Sequence, residues 1–79
     1  MKSTYLTRDL NEASFLYASS QKLIQLQNDN GRFWFVFENE PACQQLIDIY
    51  WRKETKVDAK ELLDSLRSLK DRIFSMQRR

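Results

Sequence analysis

Seventy-nine residues make one domain, and a chain this short buries only about 60–65% of its unfolded surface, which leaves a few kcal/mol of stability. An apolar fraction of 42% beside 30% charged residues favours a folded core over disorder, while one glycine and one proline leave little room for the many turns of an all-β fold. A net charge of +2 is too balanced to imply nucleic-acid binding by itself, and the lack of histidine with a single cysteine removes the commonest general base, zinc clusters and an intramolecular disulfide.

Met1 to Thr4 reads as a loose arm. The opening MKSTYLTRDL has no apolar signal segment, so the chain reads as soluble and cytoplasmic, with no membrane partner. Tyr5-Leu6-Thr7 fits a short edge strand. Asp9-Leu-Asn-Glu12 is a capping box: the Asp9 carboxylate accepts a free amide of the first turn and Glu12 reaches back. A helix of about ten residues follows, with Leu10, Ala13, Leu16 and Tyr17 on one face and Phe15 off that stripe, placed to meet a second element.

Lys22–Gln27, KLIQLQ, reads as a strand. Asn-Gly within NDNG is the strongest short hairpin signal, because both residues tolerate positive φ. The second strand is RFWFVFE, Arg32–Glu38. With Asn30-Gly31 as the loop, Leu26 faces Phe35 and Ile24 faces Phe37; with Asp29-Asn30, Leu26 faces Phe33. Either register gathers Ile24, Leu26, Phe33, Phe35 and Phe37 on one face and leaves Trp34 on a mixed face beside glutamines. The phenylalanines are then core, and Trp34 is the ring left for a partner. The order Gly31-Arg32 and the presence of Glu38 depart from the aromatic strand of RNA-recognition folds.

Asn39 or Glu40 caps the next helix, with Pro41 in its first turn, where a missing amide costs nothing. Cys43, Leu46, Ile47 and Tyr50 form its main stripe, widened by Ala42, Ile49 and Trp51; such breadth suits a helix packed between two neighbours. Cys43 reads as a small buried apolar residue. Val57 to Leu62 is a second capping box, Asp58 with Glu61, inside a Val57–Leu62 hydrophobic staple. The last helix runs from Ala59 into the mid-seventies with 77–79 loose. Its heptad seam is Ala59, Leu62, Leu66, Leu69, Ile73 and Met76, broadened by Leu63 and Phe74.

The expected fold is therefore α+β, a single domain over 1–79: a helix, a two-stranded antiparallel hairpin, with a short N-terminal strand as a candidate third, then two helices packed on the hairpin. The expected core is Leu10, Leu16, Ile24, Leu26, Phe33, Phe35, Phe37, Leu46, Tyr50, Leu62, Leu66, Leu69 and Ile73. Self-association through the heptad helix or a hairpin edge, giving a homodimer, is one way for so small a domain to bury more surface.

Catalytic chemistry finds little support. Cys43 has no histidine to activate it, the lone glycine excludes phosphate-cradling loops, and the carboxylate pairs are explained by helix starts. No catalytic residue, metal site or cofactor is expected. The leading expectation is a non-catalytic protein-interaction module with Trp34, Trp51 and Arg67 as candidate contacts, since Trp and Arg dominate interface hot spots. The alternative is a nucleic-acid-binding accessory protein. From Leu66 to Arg79 the basic residues Arg67, Lys70, Arg72, Arg78 and Arg79 stand against Asp71 alone, a net of +4. Four or five phosphate contacts would produce a salt dependence of roughly −0.9 per contact. An enzyme is a distant third reading.

The segments YLTRDLNEASFLYAS, QKLIQLQ, GRFWFVFE and YWRKETKVDAKELLDSLRSLKDRIF resemble a family of small uncharacterised domains from bacteria and their phages or integrated elements. The similarity spans about Tyr5 to Phe74. Its more specific parts are the strand ending FVFE, the YW pair before the VDA helix start, and the closing LRSLKDRIF. Members tend to carry Gly just after the first helix, where this chain has Ser20-Gln21. The resemblance implies a compact α+β domain, brings no enzymatic activity with it, and points toward nucleic-acid handling or host-protein inhibition.

Overall fold

The computed structural model describes residues 3–77. Six elements follow one another: β1 Thr4–Thr7, α1 Leu10–Ala18, β2 Leu23–Asp29, β3 Arg32–Glu38, α2 Glu40–Trp51 and α3 Ala59–Gln77. The strands form one antiparallel sheet in the order β1-β3-β2, so the N-terminal strand joins the hairpin and makes β3 central. The expected α+β class holds, with three strands.

Local chemistry explains most boundaries. Asp9 caps α1 by accepting from the amides of Asn11 and Glu12 at 2.8 and 3.2 Å. Asn39 caps α2 through the Ala42 amide at 3.3 Å, and Asp58 caps α3 through that of Glu61 at 3.1 Å. Between β2 and β3, Asn30 (φ 54°) and Gly31 (φ 87°) form the two-residue loop, the Asn28 side chain accepts from the Gly31 amide at 2.9 Å, and Asp29 pairs with Arg32. Of the two candidate registers, this is the one that sets Leu26 against Phe35.

Farther along, the register departs from expectation. Leu23, not Ile24, stands opposite Phe37, and Gln25 stands opposite Val36, because an irregularity intervenes between Leu23 and Gln25. A bulge inserts one unpaired residue, so Ile24 and Gln25 share a side and Leu23 takes the inward place. Ile24 is consequently 47% exposed and leaves the expected core. With Leu23 and Ile24 both apolar, alternation could not choose between them.

Molecular extents of 38 × 34 × 17 Å leave room for two layers. The helices share one layer, on the Phe35/Phe37 side of the sheet. In it α1 lies between α2 and α3; α2 reaches β1 and β3, whereas α3 packs chiefly on α1 and only marginally on the hairpin. The core joins Ala13, Phe15 and Leu16 of α1, Phe35 and Phe37, Cys43 and Ile47 of α2, and Leu69 of α3. Phe15 meets Tyr50, ring centroids 5.4 Å apart. Cys43 is fully buried, and burial pushes its thiol pKa up. Phe33 and Leu66, expected inside, are half-buried and outside this cluster. Along the α3 seam Leu69 is fully buried, Leu62 and Ile73 partly, while Ala59 and Met76 are exposed. The reason is length: α1, with 9 residues, covers only the middle of a 19-residue helix.

Both shorter helices end in the same way without glycine. The amides of Ser20 and Gln21 bond the carbonyls of Tyr17 and Leu16, and those of Lys53 and Glu54 bond Tyr50 and Ile49. Ser20 (φ 69°) and Lys53 (φ 61°) occupy the left-handed position of these turns. Ser20→Gly is expected to gain about 0.5–1 kcal/mol by removing the Cβ penalty, net of glycine's greater freedom when unfolded. A rise of a few degrees in Tm checks this; an unchanged or lower Tm would mean that the turn is built otherwise.

Candidate interaction surfaces

The three residues expected to contact a partner fall on three separate surfaces. Trp51 ends α2. Its indole Nε1–H donates to Glu12 Oε2 at 2.8 Å, and its ring meets that of Tyr50 edge-on at 5.3 Å, yet the residue remains 63% exposed. The other oxygen of Glu12 accepts from Tyr5 Oη at 3.2 Å and Thr7 Oγ1 at 3.0 Å. Glu12 thus does not turn back to its own cap. The Asp9 amide donates instead to Thr7 Oγ1 at 3.1 Å, which frees the carboxylate to join β1, α1 and α2. Beside the indole, Tyr50, Trp51, Lys53 and Thr55 line a recess of about 330 Å³.

Desolvation is the largest influence on Tyr5, followed by the Glu12 charge and the hydrogen bond to it; together they push its phenol up to about 12. Tyr50 is raised too, by burial first and then by Asp9 and Glu12. A phenol raised on folding stays protonated after the unfolded chain has lost its proton. Its contribution to stability is therefore whole below pH 10 and is lost as pH climbs through about 12. Tyr5 should ionise last in a tyrosinate absorbance titration, behind a Tyr50 that is itself late, and Tyr5→Phe should abolish that final step. A single common step in the native protein would contradict the Tyr5–Glu12 contact.

Trp34 lies on the opposite side of the sheet. Register places Leu6, Val36 and Gln25 together there, with Trp34 beside Gln27, on the face away from the helices. Arg8 sets its guanidinium over the indole, 4.9 Å from the ring centroid, so Trp34 is half-buried. Val36, at 5% exposure, is shielded within the sheet by its strand neighbours. Leu6 and Ile24 leave an apolar margin around it.

Arg67 belongs to α3, where it borders a shallow recess with Leu63, Leu66 and Lys70. Of the candidate phosphate contacts, Arg67 and Lys70 are thus brought together. Arg72 is not with them: its guanidinium lies 5.8 Å from the ring centroid of Tyr17. Arg78 and Arg79 lie outside the described residues. Sequence reasoning missed Glu12 as a hub, since capping already explained it, and missed Arg8 and Lys53. An adjacent Thr-Arg after a strand was the only cue for Arg8, and positive φ at Lys53 has no cue beyond its place after a helix. Among the described residues no group of three or more His, Cys, Asp or Glu side chains is placed to hold a metal ion, and no helix is long and apolar enough to cross a membrane.

Fold and surfaces together define a small α+β domain: a three-stranded antiparallel sheet with helices on one face, the other left open. The chain belongs to the family described as Domain of unknown function (DUF5659), whose model matches residues 2–75. No curated protein and no solved structure matches it.

Proposed function

We propose that the protein is a non-catalytic protein-interaction module, cytoplasmic and of phage or mobile-element origin, with Trp51 as its principal contact. One observation carries the reading. The indole keeps most of its surface in water while a charge-assisted hydrogen bond to Glu12 holds it in place. An exposed, pre-organised aromatic loses little conformational freedom on binding, which is the physical basis of a hot spot. The mobile-element origin is supported by the resemblance of the segments quoted above.

Trp51→Ala is expected to weaken a partner complex recovered from the native host by at least about 2 kcal/mol, roughly 30-fold in Kd. The folded domain should lose only about 1 kcal/mol, because the residue is mostly exposed. Titration of the purified complex, read beside a thermal melt, checks both. Unchanged affinity would move the contact to the Trp34 face, where Trp34→Ala is the matching test. The nucleic-acid reading draws on the pairing of Arg67 with Lys70. It requires low-micromolar binding of labelled DNA at low salt, falling steeply as salt rises.

A further inference from the structure

The outward side of α3 carries an exposed stripe. Leu63, Arg67, Lys70 and Phe74 fall within an arc of about 60° and a length of about 16 Å on an ideal helix. Leu63 is 60% exposed and Phe74 61%. Between these ends, Leu63, Leu66, Arg67 and Lys70 enclose a recess of about 250 Å³ with no carboxylate in its wall. Of the acids beside them on the helix, Asp64 is engaged by Lys60 at 2.9 Å and feels Arg67 only as a lesser charge, and Asp71, four residues on from Arg67, forms no salt bridge with it. Arg67 and Lys70 therefore have no ion-pair partner among the described residues.

Charge decides what fits this face. A second copy laid antiparallel on α3 would set Arg67 against the other copy's Lys70, and like charges at that distance repel. A phosphate backbone would satisfy the cations and leave Leu63 in water. An apolar ridge flanked by carboxylates satisfies both. We propose that this face docks an acidic amphipathic helix of a protein partner, its apolar residues over Leu63 and Leu66 and its carboxylates on Arg67 and Lys70. The surface lies across α1 from Trp51, so its test is read independently of that residue.

The full chain, isotope-labelled, is titrated with a synthetic helical peptide bearing one leucine face flanked by glutamates. The same peptide with lysines, a short DNA duplex and anionic phospholipid vesicles serve as competitors. The acidic peptide is expected to shift the amides of 63–70. Arg67→Glu with Lys70→Glu should lower its affinity at least about tenfold and make the lysine peptide the preferred ligand. Leu63→Gln should also weaken it, several-fold, with an unchanged thermal melt. No shift along α3 with the acidic peptide overturns the proposal. So does a preference for duplex or vesicles, and so does indifference of peptide binding to Leu63→Gln, which would assign the face to charge alone.

Discussion

Phe37→Ala is expected to cost about 3–5 kcal/mol, the typical loss for emptying a filled aromatic site. Phe37 is fully buried near the end of the central strand away from the hairpin loop, flanked by Tyr5 of β1 and Leu23 of β2 and covered by the helices. A domain of this length holds roughly 4–12 kcal/mol in total, so the loss removes a large part of the stability, and at the lower end of that range it unfolds the variant at room temperature. Phe33 gives the contrast. It shares the inward parity but stands near the hairpin end, half-buried and outside the core cluster. Phe33→Ala should cost only about 1 kcal/mol. Urea denaturation of both variants separates the two. Equal losses would mean that the hairpin end of the strand is covered as fully as the end that carries Phe37.

Glu12→Ala should be the most damaging polar substitution, at about 2–3 kcal/mol. It deletes the shared acceptor of three donors, two from β1 and one from α2, and strands the Thr7 hydroxyl, which is buried. Glu12→Gln should cost about 1 kcal/mol. Its carbonyl can still accept from the Trp51 indole, which only donates, and its amide can donate to the Tyr5 and Thr7 hydroxyls, which also accept. Chemical denaturation measures the energies, and Trp51 fluorescence anisotropy reads the anchor. Only Glu12→Ala should free the indole to move. Equal stability of the alanine variant and the native chain would refute a hub joining the strand to both helices.

These two substitutions fall on opposite sides of what the chain alone reveals. The inward parity of Phe35 and Phe37 was legible, because a strand turns alternate side chains to one face and both candidate hairpin registers keep that parity. Trp51 was legible as a candidate, yet its anchoring was not. Its partner, Glu12, lies thirty-nine positions earlier, inside a capping box that already explained it. Trp34 was assigned to the correct face, but Arg8, which covers it, comes from the link between β1 and α1. The basic C-terminal stretch read as one group; Arg72, turned onto Tyr17, leaves Arg67 and Lys70 as the pair that shares a surface.

By itself the sequence determined the order of elements, the caps at Asp9 and Asp58 and the shared parity of Leu26, Phe35 and Phe37, and it narrowed the α2 cap and the hairpin loop to two candidates each. Each depends on groups a few residues apart, whose spacing is set by helix and strand geometry. Tertiary structure alone decided that β1 docks beside β3, that a bulge turns Ile24 outward, that only the middle of the α3 seam is covered, and that Glu12 serves three elements. Those outcomes depend on which surfaces meet once the chain has closed on itself, and no local periodicity records such meetings.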